Sequence, residues 1–192
     1  AMRLLSEAHL RKGEIQLATD TLQQLVDQQP QDVDARQALG ILLLRTGKQD
    51  QGLKLLDSVI ANRPNSPIAL QAKAEAMIGR RDWPQARAAI DQLSALPQQK
   101  PLGETLLGRF YQAQEKYTDA AQAYSRARQS APTAIEPLTG LVQSYLAAKQ
   151  PEQAVRAAEA AIASAPDSPF PRNLLGEVYA AQGKWAQAEE AY

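Results

Sequence analysis

The sequence predicts an all-α fold, an α-solenoid of stacked helix-turn-helix units, and three observations carry that prediction. Prolines recur at a fixed interval: Pro30, Pro64, Pro132 and Pro166 are 34, 68 and 34 residues apart. Whole phrases recur in the same frame: "LLGRFYQAQEKYTDAAQAY" (106–124) returns as "LLGEVYAAQGKWAQAEEAY" (174–192), 68 residues later. The composition is that of helices with regular breaks, rich in Ala and Gln, poor in β-branched residues, with 10 Gly and 12 Pro spaced along the chain. A fixed internal period of this length marks an array in which each unit shields its neighbour's apolar face.

With each proline at position 32 of a 34-residue unit, the chain reads as one array of units 1–32, 33–66, 67–100, 101–134 and 135–168, with a partial unit 169–192. Positions 4, 7 and 11 share one face of a first helix, and positions 20, 24 and 27 share one face of a second. The first unit supplies Leu5, Ser6 and His9, then Gly13 as the break, then Ala18 and Leu22. The second repeats the pattern with Leu39, Gly40, Leu43, Gly47, Gly52 and Leu56. The third opens on Ser66-Pro67, an N-cap followed by Pro in the first turn. It carries Lys73 where Leu is usual and Gln98, with Pro97 beside it, where Pro is usual, so looser packing is expected around 73–101.

The fourth unit restores the pattern with Leu107, Gly108, Tyr111, Glu115, Ala120 and Tyr124. The fifth has Leu141, Val142, Tyr145, Lys149, Ala154 and Ala158, with Val142 in a small-residue slot and Gly140 two residues earlier. The last opens on Ser168-Pro169 and continues with Leu175, Gly176, Tyr179, Gly183, Ala188 and Tyr192. Gly in a helix interior costs about 1 kcal/mol relative to Ala. Gly40, Gly108 and Gly176 therefore predict close approach of two helices, with the small residues at position 20 facing them.

These slots, filled across the whole chain, resemble the tetratricopeptide repeat family. The resemblance implies helix pairs coiled into a right-handed superhelix, with a concave groove that binds other proteins. In that family the first helices line the groove, largely through positions 2, 5, 9 and 12. Here those positions place Arg3, Glu7, Gln37, Ile41, Leu44, Gln71, Glu75 and Ile78 on it. Thr105, Arg109, Gln112, Thr139, Gln143, Leu146, Asn173 and Glu177 continue the lining. Amides for backbone groups and aliphatics for small pockets suit an extended peptide or a partner helix. The Lys-then-Asn pair with which chaperone-adaptor relatives hold a C-terminal carboxylate is absent from positions 5 and 9 of every unit.

The remaining features point away from catalysis. Lys plus Arg and Asp plus Glu both number 21, so no net basic surface favours nucleic acid. The chain has no Cys and one His, which removes thiol chemistry and Cys-based metal sites and leaves no basis for a zinc site. No phosphate-cradling glycine loop, dinucleotide fingerprint or nucleophile elbow is present, and neither a cofactor nor an enzymatic role is expected. His9 and the tyrosines share position 11 and read as packing residues; Trp83 and Trp185 share position 17 and are expected in the core. The basic residues near first-helix ends, such as Arg45, Arg80 and Lys116, offset the helix dipole.

No apolar run approaches the roughly 18 residues of a membrane helix. The opening "AMRLLSEAHLRKGE" is too charged for a signal peptide, so a soluble segment is expected, cytoplasmic or periplasmic. The last second helix stops at position 24, and Met2, Leu4 and Leu5 already stand on a helical face. Solenoid ends need polar caps. The expectation is a segment of a longer protein with apolar surface at both ends, open to homo-oligomers through them. Two further roles stay open beside the interaction scaffold. One is self-assembly. The other is regulation within a larger envelope or export machine, because long Ala- and Gln-rich chains of this family resemble bacterial scaffolds of exopolysaccharide export.

Overall fold

The computed structural model describes residues 1–192 as twelve α-helices and one short 3₁₀ turn, with no strand. The helices are α1 Met2–Arg11, α2 Ile15–Gln28, α3 Val33–Arg45, α4 Gln49–Asn62, α5 Pro67–Gly79 and α6 Trp83–Ser94. The 3₁₀ turn Pro97–Gln99 leads into α7 Lys100–Gln112, α8 Tyr117–Ser130 and α9 Ile135–Ala147. The chain ends with α10 Pro151–Ser164, α11 Pro169–Ala181 and α12 Trp185–Ala191. The chain is an all-α helical repeat solenoid. It divides into two compact units, Ala1–Gln92 and Leu93–Tyr192. The division falls within α6, in the repeat that Lys73 and Gln98 set apart in the sequence.

Each helix pair is closed by one left-handed residue. Gly13, Gly47 and Gly183 have φ of 77°, 82° and 73°, and Arg81, Glu115 and Lys149 have φ of 59°, 60° and 58°. The backbone N–H that follows reaches back to the helix, as Lys48 N to Leu43 O at 2.9 Å and Lys116 N to Tyr111 O at 2.9 Å. That αL closure satisfies carbonyls the first helix leaves open. Arg81 belongs to this set although its side chain gives no sign of it. A side chain in this conformation costs roughly 1–2 kcal/mol. Replacing Glu115 or Lys149 by Gly is expected to stabilise the fold by about 0.5–1 kcal/mol, since the relief exceeds the extra entropy glycine loses. Urea denaturation of the two variants measures it, and a loss of stability would contradict the cap assignment.

The other ends are closed by side chains at some helices only. Asp32 caps α3, accepting from Ala35 N at 3.0 Å, and Ser66 caps α5, accepting from Ala69 N at 3.4 Å. Ser168 stands at the N-cap of α11 but makes no cap bond, so its sequence promise of a cap is not met.

In the N-terminal unit α1 packs on α2, α2 on α3, α3 on α4 and α4 on α5. Ala18, Leu22, Leu39, Leu42 and Leu43 form one buried cluster, and Leu56, Val59 and Ala69 another. Gly40 and Gly52 make the closest approach: a Cβ on Gly52 would lie 2.7 Å from the Gly40 carbonyl oxygen. Lys73 keeps its stem against the unit and pairs its ammonium with Asp57 at 2.6 Å. Ala86, Ala89 and Ile90 are fully or almost fully buried, so core burial persists through the third repeat.

In the C-terminal unit the helices pack in sequence from α7 to α12. Ala120, Ala121, Tyr124 and Leu141 form one cluster; Leu138, Val142, Ala154, Leu174 and Val178 belong to a second. The Tyr124 ring is 2% exposed and is clasped by two glycines. A Cβ on Gly108 would come within 2.6 Å of it, and one on Gly140 within 2.3 Å. Val142 occupies the slot where other units have a small residue, and Gly140 provides the close approach instead. Burial holds the Tyr124 phenol well above the ordinary tyrosine range, with Glu136 adding to the effect and Arg109 opposing it.

One core expectation fails. Trp185 is 67% exposed and does not pack in the interior. Its position 17 lies at the very start of the second helix, outside the face that repeats at 20, 24 and 27. Apolar side chains are also exposed at both ends of the sequence: Leu4 at 70% and Leu5 on α1, and Tyr192 at 65% after α12.

Candidate functional site

The first helix of each repeat presents a row of side chains that its own partner helix leaves uncovered. In the N-terminal unit these rows lie on α1, α3 and α5, with α3 beside α5. Arg3 is exposed but engaged: its guanidinium donates to Asp32 Oδ2 at 3.2 Å and to Asp34 at 3.4 Å, with a further short bond to Asp32 Oδ1. Arg63 pairs with Asp34 from the other side. Arg3 thus ties α1 to the start of α3. Glu7 is exposed one turn further along α1.

The Arg3 hydrogen bond holds the Asp32 carboxyl below the ordinary aspartate range, helped by the Ala35 backbone amide and opposed by burial. A lowered folded value favours the fold at any pH above the unfolded aspartate value of about 3.9. That contribution is lost as pH falls through the lowered folded value. Arg3→Gln is therefore expected to reduce stability at neutral pH and to leave it nearly unchanged at the acid end, where Asp32 is protonated. Urea midpoints measured along a pH series check it; an equal loss at every pH would contradict the pairing.

Gln37, Ile41, Gln71 and Glu75 are half-buried on facing helices. Gln37 Oε1 accepts from the Ser66 hydroxyl at 2.7 Å, and Gln71 Nε2 donates to Glu75 Oε1 at 3.1 Å. Beside them a pocket of about 210 Å³ opens between α3 and α5, lined by Ile41, Leu44, Arg45, Gln49, Ala72, Glu75 and Ala76. Gln49 Nε2 donates to Leu44 O at 3.2 Å, while its Oε1 is buried without a partner. The sequence reading placed Ile41, Leu44 and Glu75 here but missed Arg45, Gln49, Ala72 and Ala76. The available signal was the pair of alanines one turn apart on α5, whose small side chains leave the space.

In the C-terminal unit the rows lie on α7, α9 and α11, with α9 beside both others. Gln143, Asn173 and Glu177 are exposed, and Arg109 is exposed with its guanidinium 3.7 Å from Glu136. Thr139 is half-buried, its hydroxyl bonded to Ile135 O at 3.0 Å. Two of the expected lining residues turn inward. Thr105 is 5% exposed and its hydroxyl donates to Pro101 O at 2.8 Å. Gln112 spends its whole amide inside: Oε1 accepts from the Tyr124 hydroxyl at 2.7 Å, and Nε2 donates to Ser144 Oγ at 3.0 Å and Gly140 O at 3.3 Å. Its slot is aliphatic or alanine in the other repeats, and it meets a Tyr and a Ser at slots that are otherwise apolar. Three polar residues in apolar slots were the legible sign of an internal network.

His9 Nδ1 lies 2.5 Å from Glu14 Oε2 at the turn between α1 and α2, a local contact that closes the hairpin. No group of three or more His, Asp or Glu side chains is arranged to hold a metal ion. No helix is long and apolar enough to cross a membrane. What the surface offers is shallow apolar relief edged by amides and charges, the chemistry of peptide contact.

Family models described as tetratricopeptide repeat match residues 9–74 and 111–170, and another of the same description matches 72–135. Among solved structures, PilW, described as a widely conserved type IV pilus biogenesis factor, is 15% identical with a TM-score of 0.79, covering 99% of this chain and 88% of that one. PilF of Pseudomonas aeruginosa is 11% identical with a TM-score of 0.75, covering 99% and 86%. A tetratricopeptide repeat protein from Parabacteroides merdae is 16% identical with a TM-score of 0.72, covering 99% and 75%. These likenesses establish a common fold. No curated protein sequence matches the chain significantly.

Proposed function

We propose that this chain, which belongs to the tetratricopeptide repeat family, is a non-enzymatic scaffold that binds an extended peptide or a partner helix on the open faces of its first helices. Proteins of this family generally act by binding other proteins. The observation that carries the reading is the uncovered α3–α5 face, where Ile41, Leu44, Ala72 and Ala76 form an apolar recess among amide groups. In the C-terminal unit Arg109, Thr139, Gln143, Asn173 and Glu177 are the residues assigned to contact, while Thr105 and Gln112 are assigned to structure.

Site-specific photo-crosslinking tests the reading. A photoreactive residue at Gln71 or Gln143 is expected to give discrete protein adducts in cells, and one at Gln122 on α8 or Glu159 on α10 to give none. Adducts from the second helices alone would move the interaction to the other face.

A second reading is self-association, favoured by the exposed Leu4 and Leu5 on α1 and Trp185 and Tyr192 around α12. Large exposed apolar side chains grouped together mark interaction surfaces. Light scattering across a concentration series decides it: mass rising with concentration, and returning to monomer in Leu4→Glu/Leu5→Glu, supports self-association. A monomer throughout removes it. The likeness to a pilus biogenesis factor supports a role within a larger envelope assembly by analogy of fold alone.

A further inference from the structure

We infer that the α3–α5 recess of the N-terminal unit is a selective site for one branched aliphatic side chain of an extended peptide, whose backbone is read in a fixed polarity by Gln37 and Gln71. This rests on the reading of the first-helix faces given above and narrows it to a ligand class.

The recess sets the side chain. At about 210 Å³ it is smaller than the roughly 300–1,000 Å³ of a small-molecule site, which points to an anchor side chain rather than a whole ligand. Its floor is made of Ile41, Leu44 and the methyl groups of Ala72 and Ala76, with no aromatic ring. Charged groups, Arg45 and Glu75, belong to the same lining. A Leu, Ile or Val side chain matches that floor.

The amides set the backbone. Each has one end committed inside the protein, and the committed ends are opposite. Gln37 uses its oxygen on the Ser66 hydroxyl, which itself accepts from Ala69 N, so Gln37 presents its N–H₂ outward. Gln71 uses its nitrogen on the Glu75 carboxylate, which only accepts, so Gln71 presents its oxygen. The two sides of the face thus show a donor and then an acceptor. Ser66, the partner of Gln37, precedes Gln71 by five residues, about 7.5 Å along α5 at 1.5 Å per residue. Two residues of extended chain span about 7 Å, and a carbonyl and the N–H two residues on point to the same edge. The peptide carbonyl meets Gln37 and the later N–H meets Gln71, which fixes the direction in which the chain runs.

Panning a random dodecapeptide library on the full chain tests this, with affinities then measured on selected peptides. The expected outcome is a motif with Leu, Ile or Val at one position. Ala76→Leu, which fills the recess, is expected to weaken binding at least tenfold. Gln37→Glu keeps the bond from Ser66 but replaces the outward N–H₂ by oxygen, and is expected to weaken binding at least fivefold. Both variants are expected to melt like the parent, which separates loss of site from loss of fold. Peptides without an aliphatic anchor, or indifferent to Ala76→Leu, would overturn the inference; if Arg109→Ala/Gln143→Ala still weakens them, the scaffold reading survives. Binding lost with Ala76→Leu but unmoved by Gln37→Glu would overturn the polarity. If no peptide is selected, or if Ala76→Leu changes only the self-association of the chain, both this inference and the peptide reading fall.

Discussion

Gly140→Ala is expected to destabilise the C-terminal unit by about 2–4 kcal/mol, although Ala is the better helix former by about 1 kcal/mol. The two effects oppose each other, and geometry decides between them. The added Cβ would lie 2.3 Å from the Tyr124 ring, and the ring cannot retreat because Gly108 closes its other face. Tyr124 is also held through its hydroxyl by Gln112, so relief by rotation costs a hydrogen bond. Combining Gly140→Ala with Tyr124→Leu, the residue type at this slot in the first two repeats, is expected to restore most of the loss relative to Tyr124→Leu alone. Urea denaturation of the four proteins gives the coupling. A neutral or stabilising Gly140→Ala would show that the ring is not clasped.

Leu56→Ala is expected to cost about 3–4 kcal/mol in the N-terminal unit. Leu56 is fully buried among Val59 and Ala69, and its side chain lies 3.2 Å from where a Cβ on Gly40 would stand. Removing it loses the transfer free energy of the side chain and leaves a cavity. The neighbours cannot fill it, because the Gly40–Gly52 backbone contact already fixes the helix spacing. Leu17→Ala on α2, whose side chain is exposed, is the control and is expected to change stability by less than about 0.5 kcal/mol. Equal losses at the two sites would mean that the repeat frame has been misassigned.

Most of the fold is legible in the sequence because a solenoid writes its contacts at short, repeated range. Leu39, Leu56, Tyr124 and Leu141 are each buried in the slot the 34-residue frame gives them. Glycine spacing likewise announces the close approaches at Gly40, Gly108 and Gly140. What stays hidden depends on pairs of side chains rather than on slots. Arg81 takes the left-handed turn because of its place in the chain, with no glycine to mark it. Gln112 leaves the surface because Tyr124 and Ser144 happen to offer matching groups. The α3–α5 recess exists because Ala72 and Ala76 are small, an absence of volume that a list of lining positions does not register. Likewise, Gln37 and Gln71 are the same residue at the same slot, and only their internal bonds make one present a donor and the other an acceptor.

The claim on which the functional account stands is that partners bind to the first helices. It is tested most directly by side-chain amide and methyl NMR spectra of the labelled chain titrated with a selected peptide. The account predicts shifts concentrated at Gln37, Ile41, Leu44 and Gln71, with the second-helix residues Leu55, Gln122 and Val155 unmoved. Shifts confined to the second helices, with Ile41 and Gln71 silent, would contradict it.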